Sequence, residues 1–157
     1  MIKYLKGDAT LPQAEGTKFI VHITNDISAW GAGFVIALSN RFGDHPMRVY
    51  QINPHDLGCI SGIYVGNSTY VLNMTAQHGC GRDRNGRPPI RYDALRECLK
   101  KVRMLISHYK GGRIAPSVHM PRIGCGLAGG SWDLIEPIIQ EELDGIDVYV
   151  YDYYGEN

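Results

Sequence analysis

The sequence predicts an α/β fold, a three-layer α/β/α sandwich around a central mixed β-sheet, formed as one domain over residues 1–157. Three observations predict it. Short β-rich runs alternate with segments of helical period. One pair of runs is joined by a hairpin turn while the others are joined through helices, so the sheet is mixed. Two glycine-rich turns each stand between a strand and a helix, where ligand loops gather in folds of this class.

Residues 2–5 form the first strand and run into Gly7-Asp8. Residues 18–24 are β-rich and almost unbroken, as expected of a strand covered on both faces. A polar turn over residues 25–33 leads into a helix over about residues 34–41, closed by Gly43. Residues 60–65 and 69–75 read as strands joined by Gly66-Asn67-Ser68, a hairpin candidate. Residues 77–89, rich in glycine, proline and arginine, form a long loop.

From residue 91 to 109, Tyr92, Leu95, Leu99, Val102 and Leu105 fall at helical spacing and predict one buried stripe. Residues 117–121 are a short strand entering the second glycine turn, Gly124-Cys125-Gly126-Leu127-Ala128-Gly129-Gly130. Ser131 or Asp133 caps the next helix, whose buried side is expected to be Leu134, Ile135, Ile138, Ile139 and Leu143. Pro137 must lie in its first turns or kink it. Residues 146–151 are the last strand.

Composition removes several function classes. Sixteen Lys+Arg balance sixteen Asp+Glu, which disfavours a duplex nucleic-acid binder. No apolar run approaches the roughly 18–20 residues that cross a bilayer, and the first residues lack the pattern of a signal peptide. A cytoplasmic monomer with no membrane partner is the expectation. Cys59, Cys80, Cys98 and Cys125 are scattered, with no CxxC and no HExxH, so neither a metal nor a disulfide framework is expected.

The glycine turns suggest anion binding. Glycine admits positive φ and, lacking Cβ, lets backbone N–H groups approach a phosphate, while a helix N-terminus adds a favourable partial charge. Two such loops facing each other could clamp a diphosphate without lysine or arginine. For either turn alone, a tight bend with no ligand is the competing explanation. Gly124-Cys125-Gly126-Leu127-Ala128-Gly129 also matches GxGxxG, but that motif should open a βαβ unit with several strands to come, and here one helix and one strand remain.

Three blocks together resemble the macro domain family: Lys6-Gly7-Asp8-Ala9-Thr10; His22-Ile23-Thr24-Asn25 with Trp30-Gly31-Ala32-Gly33; and Met120-Pro121-Arg122-Ile123-Gly124-Cys125-Gly126-Leu127. More narrowly, they are similar to the branch containing terminal ADP-ribose protein glycohydrolase and the fungal ADP-ribose-1″-phosphate phosphatase. The resemblance implies ADP-ribose as ligand and no cofactor. By it, Asp8 accepts a hydrogen bond from the adenine amino group, with the Ala9 amide nearby. Asn25 contacts the distal ribose. Gly31, Ala32, Gly33 and Phe34 line one side of the diphosphate, and Ile123, Gly124, Cys125, Gly126 and Leu127 the other. Tyr153, or less strongly Tyr151, partners the adenine face.

The chain departs from the glycohydrolase pattern. Where that enzyme has an attacking lysine, Met74-Thr75-Ala76-Gln77 stands, and Ala128 replaces the aspartate after the glycine turn. Neither alanine nor glutamine forms a Schiff base. His22 is the resemblance's candidate base, acid or nucleophile; a histidine satisfied inside an apolar strand is the competing account. Asn25 and Asp26 complete the catalytic candidates, with His78 beside them. Arg82, Arg84 and Arg87 suit either a contact for an ADP-ribosylated protein or nucleic acid, or a solvated loop. The expected activity is hydrolysis at C1″ of the distal ribose; the alternative is a non-catalytic reader of ADP-ribose.

Overall fold

A computed structural model describes residues 2–109 and 111–153. The elements are β1 (Ile2–Lys6), β2 (Lys18–Asn25), α1 (Phe34–Phe42), α2 (His45–Ile52), β3 (Ile60–Gly66), β4 (Thr69–Gln77), α3 (Tyr92–His108), β5 (Ser117–Met120), α4 (Trp132–Glu142) and β6 (Asp147–Asp152). The six strands form one sheet in the order β1-β6-β5-β2-β4-β3. Every neighbouring pair is parallel except β3 with β4, the expected hairpin. Asn67 and Ser68 adopt φ of 50° and 54° at its tip, the positive values a two-residue turn of this hand requires.

The period of two along β2 divides the core between two layers. Phe19 and Val21 join Leu72, Met74 and the inner faces of α3 and α4 in the larger cluster. Ile20 points the other way, with Val71 of β4, Leu38 of α1 and the flanking Trp30 and Phe34. His22 follows on that second face, between Trp30 and Phe34. Helices on both faces of a mixed sheet make the three-layer architecture that the element pattern predicts.

Three sequence expectations need correction. Helix α2 was not anticipated; it buries Pro46 and Tyr50, and Tyr50 is wholly covered. In α3 the buried stripe is Ala94, Leu95, Cys98, Leu99, Val102 and Ile106, so Ile106 takes the inward place expected of Leu105, which is 39% exposed. In α4, Ile135, Ile138 and Ile139 are buried while Leu134 is 56% exposed. Each misplaced leucine sits one residue, about 100° around the helix, from the isoleucine that faces the sheet. Pro137 is the sixth residue of α4, which continues through it. Among the described residues no helix is long and apolar enough to cross a membrane.

Because five strands run parallel, their carboxyl ends share one edge of the sheet. Gly7-Asp8 leaves β1 there, residues 26–33 leave β2, His78 leaves β4, residues 121–131 leave β5 and Tyr153 leaves β6.

Candidate functional site

The two glycine turns face each other at that edge. Between them lies a cleft of about 190 Å³ whose walls include Ala32, Gly33, Phe34 and Val35 on one side and Ile123, Gly124, Gly126 and Leu127 on the other. A Cβ added to Gly33 would stand 3.5 Å from Leu127 Cδ1, so the turns face each other across a narrow gap. Gly33 has φ of 81° and is the residue from which α1 springs. Gly124 has φ of 76°, and a Cβ there would lie 2.5 Å from Ile90 and 2.8 Å from Ile135, so only glycine lets this turn close over the core.

Among the described residues, the amides of Ala32, Gly33, Phe34 and Val35 find no protein acceptor, and nor do those of Gly126, Leu127 and Ala128. The first group belongs to the unsatisfied start of α1, where the helix dipole adds about half a positive charge. The cleft therefore offers backbone donors from two directions, an arrangement suited to an anion with several oxygens.

A second hollow of about 390 Å³ adjoins the first and shares Gly33, Phe34 and Pro121 with it. Its lining includes Asp8, Ala9, Tyr151 and Tyr153. Asp8 Oδ1 is occupied by the Thr10 amide at 2.9 Å and the Thr10 hydroxyl at 2.7 Å. Oδ2 has Arg41 only at 3.9 Å. The exposed ring of Tyr153 stands at the rim, whereas Tyr151 is buried in the wall.

His22 lies on the cleft floor, 2% exposed. Asn73 donates through its amide to Pro46 O at 3.1 Å and Ser61 Oγ at 3.2 Å, which turns Asn73 Oδ1 toward His22. Oδ1 can only accept, so His22 Nε2 carries the proton across their 2.5 Å bond. Nδ1 is then a bare lone pair, buried and without a partner among the described residues. Burial pulls the His22 pKa down to about 4, against the upward effect of the Asn73 bond. The ring is therefore held neutral, with its one free nitrogen turned into the protein rather than into the cleft.

Asn25 also departs from expectation. Its Oδ1 accepts the Ile27 amide at 3.1 Å and the Ala29 amide at 3.0 Å, and its Nδ2 donates to Ala29 O at 2.9 Å, while the Tyr50 hydroxyl lies 2.5 Å from the Asn25 carbonyl oxygen and 2.8 Å from Oδ1 and shares its one proton between them. The side chain closes the turn that leads to Trp30 and does not line the cleft. Tyr50, whose phenol burial pushes up to about 12, makes α2 the buttress of that turn. Gly31 and Cys125 belong to the two turns but likewise stand outside the lining. Asp26 and His78 pair at 2.7 Å beside Gln77, which does line it.

Arg122 escaped the sequence reading as a side chain of interest. Its guanidinium bonds Asp152 through Nε at 2.6 Å and Nη2 at 3.0 Å, and lies 5.0 Å from the Tyr4 ring and 5.3 Å from Trp132. The bidentate pair holds the Asp152 carboxyl below its ordinary range and fastens the second glycine turn to the end of β6. Only the arginine between Pro121 and the turn hinted at this. Among the described residues, no cluster of His, Cys, Asp and Glu could hold a metal.

No family model matches the chain. The solved structure of a protein of unknown function from Bacteroides thetaiotaomicron is 49% identical, with a TM-score of 0.87 over 97% of this chain and 98% of its own. A macrodomain protein from Streptomyces coelicolor is 37% identical, with a TM-score of 0.76 over 97% of this chain and 99% of its own. Among curated proteins, ADP-ribose glycohydrolase OARD1 of Bos taurus is 26% identical over 97% of this chain and 90% of its own length. The ADP-ribose 1″-phosphate phosphatase of Lodderomyces elongisporus is 26% identical over 96% and 97%. The chromodomain-helicase-DNA-binding protein 1-like proteins of Danio rerio and Mus musculus match at 29% and 30% identity, but the chain spans only 15% and 17% of their length. The Streptomyces protein is alike along nearly its whole length and carries the same fold, and on that likeness the chain belongs to the macrodomain family.

Proposed function

We propose that this macrodomain binds ADP-ribose along the paired hollows and hydrolyses a group attached to C1″ of the distal ribose. The observation that carries the reading is the opposed pair of glycine turns with their unsatisfied amides. The diphosphate lies between them, taking hydrogen bonds from the start of α1 and from residues 126–128. The adenine enters the hollow bounded by Asp8 and Tyr153, where Asp8 Oδ2 accepts from the 6-amino group and Tyr153 covers the base. The distal ribose is left toward Gln77. The names of two full-length relatives, an ADP-ribose glycohydrolase and an ADP-ribose 1″-phosphate phosphatase, support the ligand class and the bond acted on.

Fixed amides contribute in two ways. They hold C1″ in one orientation to the attacking water, and they present dipoles that need no reorganisation as charge develops. Among the described residues no lysine lines the cleft, so a route through a Schiff base has no nucleophile there.

One observation favours a reader without chemistry: among the described residues the cleft lining holds no aspartate, glutamate or lysine. Purified protein incubated with ADP-ribose-1″-phosphate and with a carboxylate-linked ADP-ribosyl peptide decides between the two. Release of phosphate or of free peptide supports the hydrolase. Binding of ADP-ribose by calorimetry without turnover of either compound supports the reader.

A further inference from the structure

One polar pair stands next to Gln77 of the cleft wall. His78 Nδ1 stands 2.7 Å from Asp26 Oδ2, and Asp26 Oδ1 accepts the Gly79 amide at 2.8 Å. Each residue directly follows a strand: Asp26 follows β2, His78 follows β4, and the Asp26 amide donates to Gln77 O at 3.0 Å. The pair is therefore fixed by two neighbouring strands of the sheet, next to the Gln77 wall and away from the Tyr153 end.

Burial and exposure divide the pair unequally. The Asp26 side chain is 17% exposed and the His78 side chain 61%. Burial works against the Asp26 charge, but the Gly79 and His78 donors outweigh it, and the carboxyl is held below its ordinary range. An ionised acceptor at Nδ1 places the imidazole proton there and leaves the lone pair on Nε2. Among the described residues nothing bonds Nε2. His22 offers the opposite case, with its free nitrogen sealed from water.

We propose that His78, oriented by Asp26, is the general base of the reaction at C1″. This rests on the reading that an ADP-ribosyl compound occupies the cleft with its distal ribose toward Gln77. In the step, a water oxygen forms a bond to C1″ while the bond from C1″ to the leaving oxygen breaks. The electron pair departs with the carboxylate or phosphate, and the proton of the water passes to His78 Nε2. The exposed ring then releases that proton to solvent. Asp26 is a positioning residue: it holds the tautomer and stabilises the imidazolium while it lasts.

The test uses the full chain with ADP-ribose-1″-phosphate and the carboxylate-linked ADP-ribosyl peptide. His78→Ala lowers kcat about 100-fold or more, the usual reach of a general base. The Kd for ADP-ribose stays within about twofold, since the ring does not hold the ligand. Added imidazole restores part of the rate, because the vacated place is open to solvent. Asp26→Asn also lowers kcat, and the double variant is no slower than His78→Ala alone, as for residues acting as one unit. If the wild type turns over and His78→Ala matches it, the base assignment falls while the hydrolase reading stands. If the wild type binds ADP-ribose and turns over neither compound, both fall. Additive losses in the double variant would overturn the positioning role of Asp26.

Discussion

The Nδ1 atom of His119 lies 2.7 Å from the Tyr151 hydroxyl. That hydroxyl also accepts the Gln13 amide at 2.7 Å, so its own proton goes to His119, and His119 Nε2–H donates to Ser117 Oγ at 2.7 Å. The chain of bonds ties β5 and β6 to the segment after Asp8, and the Tyr151 ring also walls the hollow assigned to adenine. Tyr151→Phe leaves the Gln13 amide and His119 Nδ1 without a partner. His119 is wholly buried, and its stranded nitrogen costs about 1–3 kcal/mol. Urea unfolding should register a loss in that range or above it, and a change below about 0.5 kcal/mol, the size of an ordinary surface substitution, would contradict the network.

His22 and His119 make the stability depend on pH. Burial pulls both pKa values from 6.5 to about 4, helped at His119 by nearby Lys18 and opposed at His22 by the Asn73 bond. Between pH 6.5 and 4 the unfolded chain takes up protons that the folded chain refuses. Stability from these groups is therefore complete above pH 6.5 and declines as pH falls toward 4. At pH 5 each contributes a loss of ~2 kcal/mol relative to pH 7. Urea unfolding at the two pH values should show the fall, and His119→Gln should remove about half of it. Equal stabilities would contradict the account.

Asp8 is expected to select the base rather than the phosphates. With Oδ1 taken by Thr10, Oδ2 is the oxygen left for an amino donor. Asp8→Asn replaces a charged acceptor, worth about 1.5–3 kcal/mol, which corresponds to a tenfold or greater loss of ADP-ribose affinity. Affinity for inosine diphosphate ribose, which lacks the 6-amino group, should change little. Equal losses for both compounds in calorimetry would show that Asp8 does not read the base.

Much of this was legible in the sequence, and the misses have physical causes. The strands, helices and two glycine turns declared themselves because β2 is an almost unbroken β-rich run, the helices carry strong periodicity and the glycines are clustered. Helix α2 did not, since its eight residues bury only Pro46 and Tyr50. Asp44 ahead of it and Pro46 in its first turn were the available signals. Asn25 shows the other limit: asparagine suits a ribose hydroxyl and a turn equally well, and only the placement of Ala29 and Tyr50 reveals that the turn claims it. The Asp26–His78 pair joins residues 52 apart in sequence, brought together by the parallel pairing of β2 with β4.

The opposed amides are tested most directly at Gly126. It lines the cleft, and a Cβ there would meet nothing within 4 Å, so the Cβ of Gly126→Val clears the folded chain and the branched side chain intrudes on a ligand. Calorimetry with ADP-ribose should give binding to the wild type and at least tenfold weaker binding, about 1.4 kcal/mol, to the variant. The melting temperature should stay within about 2 °C. Undiminished affinity in Gly126→Val, or no affinity in the wild type, would contradict a diphosphate held between the two turns.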